Sequence, residues 1–291
     1  MFGSARCRVR LSAGEYPTRW SAATLTLQVR VGCEFDFDSE APSASIFQVE
    51  PQPDFPQSVL RDSWESDPTL PMSAYVDEFG NPCRRLTIPR GKLRVRYDAI
   101  VAVPPEPDPV LQDAQQVPPE DLPSETLQYL LPSRYCLPDK LMGAALDTFG
   151  GVEPGWSQVQ AISNWVHEHL TYRLGSTDSM SDAADAYMER QGVCRDFAHL
   201  AISFCRALNY PARYACGYIP LLGRPMPEEG IDFAAWMEVY LGGDWRTFDP
   251  RNGTPLAGRV LIGRGRDAAD VAMVTSAGAP RLESMTVWAE A

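Results

Sequence analysis

From Leu25 to Phe37 every odd-numbered position is apolar, while Thr26, Gln28, Arg30, Glu34 and Asp36 fall between them. Side chains of a strand alternate between its two faces, so this run predicts a strand with one buried and one wet face. "KLRVRYDAIVAV" repeats the pattern through Leu93, Val95, Tyr97, Ala99 and Val101, and "EFGNP" and "IPRGK" supply turn residues. Residues 1–103 are expected to form an all-β, sandwich-like domain with no evident site of its own.

Residues 104–124 are rich in proline and acid. Such a composition builds no core and favours extended backbone, which predicts a linker at a domain boundary or an ordered strap along the surface. Beyond it the period changes to that of a helix. "PDKLMGAALDTFGG" ends on paired glycines, a helix stop, and "GWSQVQAISNWVHEHLTY" lines Trp156, Val159, Ile162, Val166 and Leu170 along one side. "DAADAYMERQG" predicts a shorter helix ending at Gly192. The next helix, from Cys194 to Leu208, is expected to bury Phe197, Leu200, Ala201, Phe204 and Leu208. From Ala212 the chain returns to strands in "ARYACGYI", "AAWMEVYL", "DWRTFDP", "GRVLIG" and "LESMTVWAE". Helices followed by antiparallel strands make residues 125–291 an α+β domain.

The chain has 291 residues, a formal net charge of −12 and no basic stripe, so a nucleic-acid surface is excluded. No apolar run is long enough to cross a bilayer, and "MFGSARCRVRLSAG" lacks the apolar core of a signal peptide. The seven cysteines are odd in number and irregular in spacing, with no C-x-x-C pair. Neither a disulfide framework nor a zinc site is indicated, and no cofactor is expected. Most of the cysteines read as small buried hydrophobes in a reducing cytoplasm.

Cys194 stands apart because it opens a helix. A thiol there faces unpaired backbone N–H groups and the positive end of the helix dipole, which favour its thiolate and could stabilise an oxyanion. Cys205, on later turns, and Cys216, within an apolar strand, lack that setting. Three ordered blocks, "GVCRDFAHLAISFCRALNYPARYACGYI", "DFAAWMEVYLGGDWRTFDPRNG" and "GRDAADV", resemble the transglutaminase-like superfamily, more narrowly its bacterial cysteine-protease-like members with a β-rich N-terminal domain. The resemblance covers roughly residues 125–290, and more loosely the first hundred. It implies a papain-like core with a catalytic triad: a cysteine at a helix start, a histidine on the next strand and an aspartate on the strand after. Cys194 matches the nucleophile and Asp249 the acid. The histidine belongs at position 234, where this sequence has Ala234.

Alanine accepts no proton, so a substitute base is sought among the neighbours. His199 follows Cys194 by five residues, about 140° around the helix, and points elsewhere as a packed or capping residue. His167 and His169 lie near a helix end and read as surface residues. Glu238, about 13 Å along the strand from position 234, reads as a cross-strand or helix-facing contact, and Asp232 as a loop residue. Trp236 shares the face of position 234 in a regular strand. Asp196 suits the first helical turn, Arg195 reads as exposed, and "GRGRDAADV" reads as a turn between the last two strands. Two functions follow. One is a hydrolase of the cysteine-peptidase or amidase type, acting on peptide or isopeptide bonds through a Cys194 thioester and impaired at Ala234. The other is a non-catalytic descendant, a pseudoenzyme whose cleft binds a peptide or protein. A base outside these positions would compensate for Ala234.

Overall fold

A computed structural model of the chain describes residues 26–53, 56–227 and 230–291. Leu25 and Cys7 fall outside them. The described residues open with six strands: β1 (Leu27–Ser39), β2 (Ser43–Phe47), β3 (Ser58–Asp67), β4 (Ser73–Val76), β5 (Pro82–Ile88) and β6 (Gly91–Val103). The alternation read from the sequence is realised in β1, where Val29, Val31, Cys33, Phe35 and Phe37 are buried. β1 runs antiparallel to β6 along its whole length, from Leu27 opposite Val103 to Ser39 opposite Gly91. Phe47 of β2 meets Phe35 and Phe37 of β1 edge to face at 5.7 and 6.1 Å, which joins two antiparallel sheets through one core.

The second half begins with short 3-10 turns at Pro119–Asp121 and Ser124–Leu130, then α1 (Pro138–Phe149) and α2 (Trp156–His169). α3 (Ala183–Glu189) ends earlier than its sequence suggests. Arg190 takes a left-handed conformation (φ 56°), and Gln191–Gly192 becomes a short strand, β8, paired in parallel with β7 (Thr171–Tyr172). α4 (Cys194–Ala207) follows, then β9 (Ala212–Tyr218), β10 (Ala234–Leu241), β11 (Asp244–Phe248) and β12 (Val260–Gly265), in the spatial order β11-β10-β9-β12. The pattern of α4 predicts one apolar face, yet every residue from Asp196 to Ala207 is buried. The helix is covered by α1, α2 and α3 on one side and by β9 and β10 on the other. Its buried Arg206 donates instead to the carbonyls of Leu131, Ala212 and Arg266.

Two strands remain, β13 (Val274–Ala277) and β14 (Arg281–Glu290). β13 pairs with β2 and β14 with β1, giving the sheet orders β13-β2-β5-β4 and β14-β1-β6-β3. The sheets therefore do not follow a division at residue 125: the last strands complete the first half by covering edges that β1 and β2 would otherwise expose. "GRGRDAADV" accordingly joins β12 to β13. The proline-rich stretch is an ordered strap tied to the second half, with the Trp156 N–H donating to Ala114 O (2.9 Å) and the Gly242 N–H to Gln115 O (2.9 Å). No helix among the described residues is long and apolar enough to cross a membrane.

Across β9, β10 and β12 lies a buried ion cluster. Glu238 accepts from Arg213 Nε at 2.6 Å and from Arg264 Nε at 2.7 Å. Burial opposes ionisation of Glu238, but the two guanidinium groups outweigh it and hold its pKa at about 2. A folded-state pKa below the unfolded one stabilises at pH values above the unfolded pKa, and the stabilisation fades as pH falls from about 4.5 toward 2. Acid unfolding followed by circular dichroism is expected to show a loss on the order of 3 kcal/mol across that window. Glu238→Gln should flatten that slope.

Candidate functional site

The turn into α4 is shaped by Gly192 and Asp196. A Cβ on Gly192 would lie 2.6 Å from Asp196 Cβ, so only glycine leaves room for that side chain to fold back. Asp196 Oδ2 accepts the Val193 N–H (2.8 Å) and the Thr177 hydroxyl (2.6 Å), closing the start of the helix. Arg195 is not the freely exposed residue its sequence suggests: it donates to Asp178 O at 3.0 Å and Thr177 Oγ1 at 3.1 Å. Cys194 is thereby fixed as the first helical residue, half-buried, with Sγ donating to Phe233 O at 3.6 Å. Phe233 sits at the seam between the halves, its ring 6.4 Å from Phe35 of β1 and 5.3 Å from Tyr218 of β9.

Two clefts, of about 300 and 340 Å³, meet at this cysteine. Cys194, Ala234, Ala235, Asp232, Phe233 and Tyr172 line both. Ala234, at the start of β10, lines both clefts together with Cys194 and offers a methyl group. Asp232, read from sequence as a loop residue, also faces the clefts, while its Oδ1 accepts the Phe233 N–H at 2.7 Å. The thiolate-favouring effect expected of the helix start does not prevail. Burial, followed by the negative charge of Asp232, pushes the Cys194 thiol up to about 11, although the Ala235 N–H and Arg195 pull the other way.

Asp249 follows β11 and lines neither cleft. It borders a separate hollow of about 20 Å³ with Asp108, Trp156 and Phe248. Asn252, which does line the 300 Å³ cleft, donates to Asp249 through both its backbone N–H (2.9 Å) and its side-chain amide (2.8 Å). The remaining partner is Arg259, whose Nη2 lies 2.7 Å from Asp249 Oδ2 and whose Nε lies 2.7 Å from Asp108 Oδ2. The guanidinium also stacks over Trp236 at 4.8 Å. Arg259 escaped the sequence reading. A lone arginine before the apolar run "VLIG" carries no local signal of an acid partner ten residues upstream.

The histidines lie elsewhere. His199 stacks on Tyr135 at 5.1 Å and meets Tyr214 at a tilt at 5.2 Å, and its Nε2 accepts the Ala268 N–H at 3.1 Å. Burial drives it down to about 3, so it is neutral. His167 Nδ1 contacts Pro250 O at 3.1 Å, and His169, stacked on Trp165, contacts Tyr187 O at 2.9 Å. Glu238 is engaged in the ion cluster described above. Cys205 and Cys216 are fully buried, and burial raises both thiols.

Comparison with known proteins places this geometry. Residues 144–250 match the model of the transglutaminase-like superfamily. An uncharacterised protein of Mycobacterium leprae is 27% identical over 80% of this chain and 86% of its own length. An uncharacterised protein of Mycobacterium tuberculosis is 31% identical over 67% and 68%. The crystal structure of a candidate cysteine protease from Cytophaga hutchinsonii superposes with a TM-score of 0.83 and 35% identity, covering 91% of this chain and 90% of that one. With its family pattern, its papain-like core and its all-β N-terminal region, the chain belongs to the transglutaminase-like superfamily.

Proposed function

We propose that the chain is a cysteine-peptidase-like protein whose cleft receives peptide or isopeptide amide bonds and whose turnover is impaired at its first step, deprotonation of Cys194. One observation carries this reading: the sulfur shares its clefts with Ala234, and its hydrogen bond goes to a backbone carbonyl, Phe233 O. With a base present, the thiolate would attack the amide carbonyl, the amine would leave with a proton, and water would release the thioester. Here the S–H proton faces an acceptor that does not take it up, and the departing amine has no donor. General acid–base assistance is worth about 10²- to 10⁴-fold, which sets the size of the handicap.

Among the described residues Asp232 is the acid that lines the clefts, and its charge opposes formation of a thiolate. It makes no hydrogen bond to the sulfur, so we read it as a brake on the thiol and not as a base. The open space on both sides of Cys194 supports a second reading, a binding module for a peptide that is held and not cut. The six free cysteines among the described residues fit a reducing compartment such as the cytoplasm.

Labelling of Cys194 by iodoacetamide, quantified by mass spectrometry of its peptide, is expected to rise about tenfold per pH unit from pH 7 to 10. A plateau near the ordinary thiol pKa, about 8.5, would contradict the protonated resting state. Asp232→Asn should speed labelling at a given pH, whereas slower labelling would identify Asp232 as the base. Ala234→His is expected to raise amine release from a panel of peptide and isopeptide substrates by about 10²-fold or more, and Cys194→Ser should abolish the gain. No gain on any substrate would sink the impaired-enzyme reading and leave the binding reading standing.

A further inference from the structure

The two clefts that meet at Cys194 differ in charge. On one side, Arg224 and Arg251 both line the 300 Å³ cleft. Arg224 donates through Nε to Leu221 O (3.1 Å) and through Nη2 to Pro220 O (2.9 Å), and pairs with no carboxylate among the described residues. Arg251 lies over the Tyr172 ring at 4.2 Å, on the wall of the same cleft. Burial, then the charge of Arg259, hold Arg224 below the usual guanidinium range, with Asp249 acting in the opposite direction.

On the other side the wall is apolar. Met273, Met285, Leu174 and Tyr214 line the 340 Å³ cleft. Its arginine, Arg195, is tied to Thr177 and Asp178 and lies 3.6 Å from Asp196. Met285 belongs to β14, the strand that pairs with β1, so the β-rich half supplies part of this wall. Asp232 lines both clefts and does not distinguish them.

Taking as its basis the reading that the cleft receives a peptide, we infer that the ligand is an extended peptide with a carboxylate on one side of the segment over Cys194 and an apolar side chain on the other. A carboxylate matches Arg224 in charge and can accept from its Nη1, which neither Leu221 O nor Pro220 O engages. Methionine side chains are adaptable and accept apolar groups of varied shape. The carboxylate could be an acidic side chain or a free C-terminus, and the two are separable by experiment.

Fluorescein-labelled hexapeptides built on alanine and glycine, carrying one Leu and one Glu three residues apart in either order, test this by fluorescence anisotropy with the full chain. Each is compared with its Gln counterpart, and each is made with a free and an amidated C-terminus. One Leu/Glu order is expected to bind about tenfold tighter than its Gln counterpart. If the preference follows the free C-terminus instead, the carboxylate is terminal and the inference still holds. Arg224→Gln should abolish the preference, with its thermal melting matching the parent, while Arg224→Lys should retain part of it. Met285→Gln should weaken Leu peptides and leave the carboxylate preference intact. Glu228 and Glu229 fall outside the described residues, so a variant with both changed to Gln is measured and must keep the preference. Peptide binding indifferent to Glu, to the terminus and to Arg224 would overturn the charge assignment alone. Absence of binding by every peptide would overturn it together with the peptide-cleft reading.

Discussion

A buried guanidinium organises the second half of this molecule. Arg259 opens the approach to β12, lies over Trp236 of β10, and is shared between Asp249 beyond β11 and Asp108 in the proline-rich strap. Burial alone would discourage its charge, but the two carboxylates reverse that and raise its pKa. Removing one partner from such a cluster costs about 3–5 kcal/mol, because the charge left behind has no water to return to. The arrangement therefore couples three segments distant in sequence and commits Asp249 to a partner other than a histidine. Asp249, expected from the sequence to be the acid of a triad, takes part in an ion cluster.

Cys194 presents a contest between two electrostatic effects. The first turn of α4 offers N–H groups and a dipole that favour a thiolate, and such effects are worth about 0.3–1 kcal/mol at an exposed terminus. Burial against Phe233 and the charge of Asp232 act in the opposite direction and win, as the upward shift to about 11 records. In a peptidase of this architecture the balance is tipped by an imidazole close enough to take the proton. The methyl group of Ala234 leaves the cost of charging the sulfur uncompensated.

Much of the fold is legible in the sequence because its signals are local. Alternation over thirteen residues fixes which face of β1 is buried, and Gly192 and Cys194 mark the start of α4. The family resemblance then points to positions 194, 234 and 249, of which 194 and 234 line the same clefts and 249 lies outside them. What the sequence does not disclose is long-range. Nothing near Arg281 announces that β14 will pair with β1, and the four residues of β13 are too few to stand out as a strand. The spacing of Cys194 and Asp232, thirty-eight residues apart, gives no hint that one faces the other's cleft. The all-round burial of α4 is hidden as well, since Arg206 and Ser203 look like surface residues until carbonyls from other segments are brought to them.

The pairing of the first strand with the last has a consequence for how the chain is made. Arg30 of β1 reaches Glu290 of β14 across 260 positions of sequence. Such non-local contacts slow folding, because a very long loop must close before the pairing repays its entropy. During synthesis β1 can pair with β6 within about a hundred residues, but its other edge waits until residues 281–290 have been made. An unpaired strand edge is a template for the wrong partner in the interval. The charges of Arg30, Glu34 and Asp36, set along the polar face of that same strand, make indiscriminate edge-to-edge association less favourable until β14 arrives, carrying Met285 into the wall beside Cys194.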